Sequence, residues 1–331
     1  MDDAKDLTRI LIGVALAGLL ALGGGALAQD WPNRPLTMVA PFAPGGSVDG
    51  NARTLAQRIG EILGQQVIVE NIGGAGGMTG SNRVARAAPD GYQLLMGNLG
   101  THGVNQTLYK KPLYNAATDF APVGLVNQGL YVLLVRKDMP VGTLPEFIAY
   151  AKANQEKMHY GSGGAGSTTH MVCILLGMAT GIQATHVPYR GAGPALQDLV
   201  GGRLDYMCEP LPTALSQIQG NTVKPIVLLA PTRTKVLPDV PAAAEQGLKD
   251  FAVSSWNALF LPKATPEPII RRLNTAMSQA LDTPYVRARI EAQGSEVPEP
   301  ARRSPEYLGQ FVRSEIEKWA APIKASGMLI D

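Results

Sequence analysis

Two glycine-rich turns contain the residue types best suited to holding a ligand. The first, residues 41–49, and the second, residues 160–170, each follow an apolar run and precede an amphipathic helical pattern. A helix start leaves backbone N–H groups unpaired and carries the positive end of the helix dipole, so it attracts anions. Glycine lets a ligand approach the backbone closely. The pair of turns therefore predicts a clamp in which two lobes hold one anion between them.

Side chains in and beside the turns complete the predicted site. Ser47 and Ser167 stand where helix N-caps belong, and capping alone would explain both. His170 falls in a first helical turn, where the dipole disfavours its charged form, so it is either a neutral ligand contact or a buried packing residue. We expect the Gly46 and Gly164 N–H groups to meet one carboxylate from opposite lobes. The predicted ligand-binding residues are Phe42, Pro44, Gly45, Gly46, Ser47, Asp49, Asn98, Thr101, Ser162, Gly163, Gly164, Ala165, Gly166, Ser167, Thr168, His170, Tyr189 and Asp205.

Other chemistries find little support in the sequence. Gly161, Gly163 and Gly166 match the spacing of a dinucleotide-binding turn, but the next predicted strand, residues 184–189, has no acid to hold a ribose hydroxyl. The four histidines lack metal-ligand spacing with carboxylates or cysteines. The net charge of +2 provides no basic footprint for nucleic acid. A hydrolase with a dispersed site of the Ser167–His170 type remains an alternative.

The N-terminus predicts export from the cytoplasm. Lys5 and Arg9 precede an apolar run at residues 10–22, and the small residues at 26–28 are typical of a signal-peptidase site. We expect residues 1–28 to be a signal peptide and the mature protein to begin at Gln29. A membrane anchor is the alternative, because residues 10–28 are apolar over nearly the length of a bilayer span.

Two cysteines, Cys173 and Cys208, lie in apolar segments of the middle of the chain. An oxidising compartment permits a disulfide between them. Each is equally compatible with a small buried hydrophobic residue, since both segments are apolar. The sequence leaves both interpretations open.

The hydrophobic pattern alternates strands and helices, which is typical of α/β folds with a largely parallel sheet. The first turn lies between a predicted strand at residues 36–40 and a helical stripe at residues 48–63, and the second turn has the same setting. Two long extended segments, residues 120–136 and 251–261, are candidates for crossing between lobes. Two crossings predict a hinge that lets the lobes close on a ligand.

An ordered set of motifs runs through the mature sequence. It comprises the two turns, with His170 in the second, and the segments at residues 69–71, 74–77, 88–92, 187–191, 237–241 and 256–260. This set resembles the Bug-type (TctC-like) substrate-binding proteins of tripartite tricarboxylate transporters. The family usually has lysine where this chain has Arg190, whose forked guanidinium is suited to a second carboxylate.

The resemblance implies a periplasmic type II binding-protein fold, in which two α/β lobes joined by two crossing strands close on a small carboxylate. Such proteins hold the carboxylate mainly through backbone N–H groups and ordered waters. Lobe 1 is expected to combine residues 29–130 with 256–331, and lobe 2 to comprise residues 131–255. We expect a monomer without cofactor or metal that delivers its ligand to membrane permease subunits and is not an enzyme. A sensor that presents its closed form to a receptor is the alternative.

Overall fold

The computed structural model describes residues 31–249 and 251–331, so the predicted signal peptide lies outside the described residues. None of the helices in the described part combines the length and apolar character that a bilayer span requires. The described chain alternates strands and helices, as the hydrophobic pattern predicts.

The elements are as follows, in chain order. The first part contains β1 Leu36–Ala40, α1 Ser47–Leu63, β2 Val67–Asn71, α2 Met78–Ala85, β3 Gln93–Asn98, α3 Asn105–Leu108 and β4 Phe120–Arg136. The middle contains α4 Leu144–Asn154, β5 His159–Ser162, α5 Thr168–Thr180, β6 Thr185–Pro188, α6 Ala192–Val200, β7 Tyr206–Pro210, α7 Leu211–Gln219 and β8 Val223–Leu228. The last part contains β9 Ser254–Pro262, α8 Glu267–Asp282, α9 Pro284–Glu291, β10 Ser295–Glu296 and α10 Pro305–Ala325.

The strands form one curled sheet in the order β2-β1-β3-β9-β4-β7-β5-β6. Strands β1, β2 and β3 are parallel at one end, and β5, β6 and β7 are parallel at the other. Strand β4 joins the two groups. Its first part, from Phe120 to Leu130, pairs with β9, and its second part, from Tyr131, pairs with β7 and β8. The pairing of β4 therefore divides the sheet into two halves.

The first glycine turn is positioned by a strand that is buried on both faces. Leu36, Met38 and Ala40 of β1 pack in one core cluster, whereas Val39 faces another. Burial on both faces explains why β1 is a continuous apolar run rather than an alternating one. Helix α1 returns over β1 and packs an apolar stripe on the same cluster, and Ile59 in that stripe is fully buried. The turn between them therefore lies at the carboxyl end of β1.

The second glycine turn has the same setting in the other half, between β5 and α5. Here Cys173 of α5 and Cys208 of β7 form a disulfide, with their Cα atoms 5.5 Å apart, an ordinary separation for this bond. Both residues are also buried in the apolar core. The disulfide fixes α5, whose N-terminus follows the second turn, to the neighbouring strand.

Candidate functional site

The two glycine-rich turns meet at one cavity of ≈ 40 Å³. That volume is enough for a few water molecules or for a carboxylate group. The cavity is lined by residues from both halves of the sheet and from β4 between them. They are Phe42, Ala43, Gly46, Ser47, Val48, Asp49, Asn98, Tyr131, Gly163, Ser167, Thr168, Thr169, Ala192, Pro210 and Thr213.

Four helices begin at this cavity. Ser47 is the first residue of α1, Thr168 of α5 and Ala192 of α6, while Pro210 is the N-cap of α7. Each helix N-terminus carries roughly half a positive charge. The described lining contains no lysine or arginine. The positive potential that this geometry creates therefore comes from the backbone and not from side chains.

Unpaired backbone donors are present at two of these helix starts. Within the described chain, the N–H groups of Val48 and Asp49 in α1 make no hydrogen bond, and neither do those of Thr168 and Thr169 in α5. All four residues line the cavity. Such donors need a partner when they are shielded from bulk water, and an anion satisfies them best.

The two helix starts are capped differently. Ser167 Oγ accepts a hydrogen bond from the His170 N–H at 3.3 Å, so Ser167 is the predicted N-cap of α5. The same prediction for Ser47 is wrong, because α1 begins one residue earlier and Gly46 occupies its N-cap without a side-chain bond. The Ser47 N–H instead donates to Thr213 Oγ1 of the other half at 3.0 Å.

Asp49 is the charged side chain of the described lining. Its carboxylate accepts hydrogen bonds from the Gly45 N–H at 3.1 Å and from Asn71 Nδ2 at 2.9 Å, and it pairs with Arg53 at 2.9 Å. Burial acts to raise the pKa of Asp49, but these hydrogen bonds and the Arg53 charge outweigh it and lower the pKa. The Asp49 carboxylate is therefore ionised, and its hydrogen bonds stabilise the conformation of the first turn.

The second turn is held by hydrogen bonds within itself. Ser162 Oγ accepts from the Gly164 N–H at 3.1 Å, and Thr169 Oγ1 accepts from the Gly163 N–H at 2.9 Å. Gly164 has φ +117°, which a side chain would strain. Contrary to expectation, the Gly164 N–H is thus already engaged inside the loop. The donors that this loop offers to the cavity belong to Thr168 and Thr169.

His170 stabilises the second turn and does not line the cavity. Its ring stacks on His186 with centroids 3.8 Å apart, and its Nδ1 accepts the Gly166 N–H at 3.3 Å. Burial, with a smaller contribution from His186, lowers the pKa of His170 to about 3. The ring is therefore neutral and absent from the cavity lining, which favours the packing interpretation.

Eight of the predicted ligand-binding residues line the cavity, namely Phe42, Gly46, Ser47, Asp49, Asn98, Gly163, Ser167 and Thr168. Ten lie outside the lining, namely Pro44, Gly45, Thr101, Ser162, Gly164, Ala165, Gly166, His170, Tyr189 and Asp205. Most of these ten belong to the turns and shape them. Asp205 instead pairs with Arg136 at 3.1 Å, at the opposite end of β7 from Pro210. The Tyr189 hydroxyl donates to Asp198 at 2.5 Å.

Several lining residues are not among the predicted ligand-binding residues, and Tyr131 and Thr213 are the most informative of them. Tyr131 stands within the apolar run of β4, where nothing distinguishes it from a core residue. Thr213 lies in α7, a helix that sequence analysis did not identify. A usable signal was present, because a proline follows the first residue of α7 and Leu211, Ala214 and Leu215 are buried at helical spacing.

The two halves are in contact around the cavity. Among the described residues, three hydrogen bonds join them around the cavity, from Ala43 N–H to Arg190 O (2.9 Å), from Ser47 N–H to Thr213 Oγ1 (3.0 Å) and from Tyr109 O–H to Ala165 O (2.8 Å). Gly193 of α6 also packs on the backbone at Pro44, where a Cβ would lie 2.3 Å from the Pro44 O. Arg190 contributes its carbonyl to the contact between the halves, and its exposed side chain is not part of the lining.

The chain is similar over nearly its whole length to known proteins of one family. The family described as tripartite tricarboxylate transporter family receptor matches residues 51–328. MatC from Rhodopseudomonas palustris, solved with bound malate, is 42% identical, with a TM-score of 0.86 over 88% of this chain and 100% of that chain. An R. palustris protein solved with adipate is 32% identical, with a TM-score of 0.86 over 91% and 99% of the two chains. Protein BugT from Bordetella pertussis is 33% identical over 97% of this chain and 98% of its own length. Together with the two-turn cavity, these matches establish that the chain belongs to the tripartite tricarboxylate transporter receptor family of periplasmic solute-binding proteins.

Proposed function

We propose that this protein captures a small organic carboxylate between two lobes in the periplasm and delivers it to the membrane permease subunits of a tripartite tricarboxylate-type transporter. The observation that carries the proposal is the convergence of four helix N-termini on one cavity whose described lining has no basic side chain. The malate and adipate bound by the two R. palustris relatives support the ligand class.

Binding would exchange water for carboxylate at the unpaired N–H groups of α1 and α5. A hydrogen bond to a charged group contributes about 1.5–3 kcal/mol, so a few such bonds suffice for tight binding once the cavity closes. Because Val48 and Asp49 belong to one half and Thr168 and Thr169 to the other, one carboxylate bridging them would hold the halves together. Ligand binding would therefore stabilise the contact between the two halves.

The moving units would be residues 29–130 with 256–331 and residues 131–255. The switch of β4 pairing from β9 to β7 and β8 at Tyr131 supports this division. The mature protein would begin at Gln29 after removal of residues 1–28, and it would act as a monomer. N-terminal sequencing of the exported protein tests the cleavage site, and retention of Met1 would contradict it.

The site geometry supports binding without catalysis. Ser167 Oγ contacts Thr169 Oγ1 and the backbone N–H of His170, while the His170 ring accepts from Gly166. A serine nucleophile needs a ring nitrogen within hydrogen-bond reach of its hydroxyl, and His170 does not provide one here. We therefore propose a carrier and not a hydrolase. Esterase and amidase assays on the purified protein test this, and any turnover abolished by Ser167→Ala would contradict it.

Calorimetric titration of the mature protein with acetate, butyrate, succinate, malate and adipate tests the carboxylate proposal. We expect saturable binding of at least one acid, and we expect Gly46→Val to abolish it because the added methyl groups would occupy the cavity. Gly50→Val is the matched control, since a Cβ at Gly50 meets nothing within 4 Å. Absence of binding by every acid, or unchanged binding by Gly46→Val, would contradict the proposal.

A further inference from the structure

Tyr109 reaches from the half that contains the first glycine turn to the second turn in the other half. Its hydroxyl donates a hydrogen bond to Ala165 O at 2.8 Å, and the residue is 7% exposed. Its ring packs so closely on Gly166 that a Cβ there would lie 2.4 Å from Tyr109 Cε2. Tyr109 is not part of the described cavity lining. Any effect of Tyr109 on a ligand therefore passes through the turn.

The turn that Tyr109 contacts leads directly into the backbone donors of α5. Ala165 lies two residues before Ser167, the N-cap of α5, and the donors that face the cavity follow at once. Gly76, which belongs to the same half as Tyr109, also packs on this turn. A Cβ at Gly76 would lie 2.6 Å from the Ala165 O and 2.9 Å from the Ser167 N. Tyr109 and Gly76 therefore hold the start of α5 against the half that contains the first turn.

Tyr109 is itself held in place by a short segment that follows α10. The Ile330 N–H donates to Leu108 O at 2.8 Å, and the Lys110 N–H donates to Ile330 O at 2.9 Å. Ile330 thus pairs, as a parallel bridge, with the residues on both sides of Tyr109. Lys110 also pairs with Asp331 at 2.5 Å, but both side chains are exposed and such a pair adds little. The position of Tyr109 therefore depends on its backbone pairing with Ile330.

The hydrogen bond of Tyr109 joins two atoms that belong to different halves, so it exists only while the halves are in contact. A carbonyl oxygen carries no proton, and burial raises the pKa of the Tyr109 hydroxyl, so the tyrosine is the donor at physiological pH. A ligand that enters between separated halves does not meet this bond, whereas a ligand that leaves must wait until the bond breaks. The bond therefore acts on the dissociation rate constant koff and not on the association rate constant kon.

We propose that Tyr109 is a latch between the two halves that slows release of the bound anion, and that Ile330 positions this latch. The proposal rests on the proposed function, in which the anion lies between the halves, and adds the residues that set how long the anion stays. Tyr109 is a positioning residue, because it acts through the turn at Ala165 and does not touch the ligand.

Dissociation of a radiolabelled acid, chased with excess unlabelled acid, tests the latch in the mature protein. The acid is whichever of acetate, butyrate, succinate, malate and adipate binds most tightly, and kon follows from koff and the calorimetric Kd. We expect Tyr109→Phe to raise koff roughly 3- to 10-fold, the effect of losing one hydrogen bond, and to leave kon unchanged. Tyr114→Phe is the matched control, since its buried hydroxyl donates to Thr101 O at 2.7 Å within one half. It should leave both rate constants unchanged.

A double-mutant cycle tests whether Ile330 acts through Tyr109. Ile330→Pro removes the N–H that donates to Leu108 O. We expect this substitution to raise koff in the parent and to have a much smaller effect in the Tyr109→Phe background. Equal effects in the two backgrounds would overturn the positioning role of Ile330. The melting temperature of each unliganded variant separates loss of the latch from unfolding.

The outcomes separate the latch from the function on which it rests. An unchanged koff in Tyr109→Phe, with a parent that binds at least one acid, would overturn the latch while the carboxylate proposal stands. A change confined to kon would also overturn the latch, because it would mark a role in ligand entry. So would an equal rise of koff in Tyr114→Phe, because that hydroxyl does not join the halves. A parent that binds none of these acids would overturn the proposed function and the latch together.

Discussion

Replacement of Gly193 by alanine should weaken ligand binding without harming the fold. Gly193 lies in α6, where alanine is favoured over glycine by about 1 kcal/mol. In the structure, however, the new Cβ would lie 2.3 Å from the Pro44 O and 3.2 Å from the Gly45 Cα of the other half. These are backbone atoms, so the contact is relieved only if the halves separate by roughly 1 Å, which returns the Cβ to van der Waals distance.

The cost of that separation follows from the bonds beside it. The Ala43 N–H to Arg190 O bond and the Ser47 N–H to Thr213 Oγ1 bond join the halves next to Gly193. Each contributes about 0.5–1.5 kcal/mol net, so losing both costs about 1–3 kcal/mol. Because the proposed function couples closure to binding, the Kd should rise by roughly 5- to 150-fold.

Calorimetry with the best-binding carboxylate measures the Kd, and differential scanning calorimetry without ligand measures the melting temperature. We expect Gly193→Ala to lose affinity with an unchanged or higher unliganded melting temperature. Gly50→Ala makes the same exchange in a helix, but with nothing within 4 Å of the new Cβ, and should bind like the parent. If Gly193→Ala bound as tightly as Gly50→Ala, the contact of Gly193 with Pro44 would not belong to the ligand-bound state.

Three further changes should alter stability in defined directions. Replacing Cys173 and Cys208 by alanine should lower the free energy of unfolding by about 2–4 kcal/mol, measured by urea titration, and reductant should then have no further effect. Burial lowers the pKa of His102 and His170 to about 3, so near pH 6 these histidines take up protons in the unfolded chain but not in the folded one. We therefore expect the free energy of unfolding to fall by about 3 kcal/mol between pH 7.5 and pH 5.5. An unchanged urea midpoint over that range would show that the two rings are not held neutral. Burial raises the pKa of Glu209, whose two oxygens have no partner in the described chain, so stability is lost as pH rises above the unfolded value near 4.5. Glu209→Gln should therefore raise the melting temperature at pH 7.5, and this gain should disappear towards pH 4.5. A lower melting temperature of the variant at pH 7.5 would instead mean that the Glu209 carboxylate is ionised and paired.

The strongest sequence signals were those set by burial on both faces of a strand. The predicted strands at residues 36–40 and 120–136 coincide with β1 and β4, because long continuous apolar runs leave little choice of element. The predicted extended segment at residues 251–261 is displaced, since β9 occupies Ser254–Pro262. Hydrophobicity marks where a strand is buried but does not fix where its ladder to β4 begins.

The site was predictable where it depends on helix starts and not where it depends on loop conformation. The glycine turns before Ser47 and Thr168 indicated two anion-binding helix starts, and both line the cavity. Which N–H groups face it was not predictable, because the Gly164 N–H is taken by Ser162 through a loop geometry that the sequence does not specify. Tyr131 was not predictable either, since only the change in β4 pairing brings this apolar-strand residue to the cavity.

The disulfide shows the same limit. Cys173 and Cys208 satisfied both the bonded and the packing interpretation, because each lies in an apolar element. Choosing between the two interpretations requires the distance between a helix and a strand. The 5.5 Å between the Cα atoms of Cys173 and Cys208 depends on how α5 packs on β7. Composition and periodicity describe each element separately and do not contain that distance.

A crystal structure of the mature protein with its best-binding carboxylate tests the central claim most directly. We expect one carboxylate group between α1 and α5, with its oxygens about 2.7–3.2 Å from backbone N–H groups among Val48, Asp49, Thr168 and Thr169, directly or through one water. We expect no lysine or arginine side chain in contact with that group. A carboxylate held by a basic side chain, or bound outside the cavity between the two turns, would contradict the account.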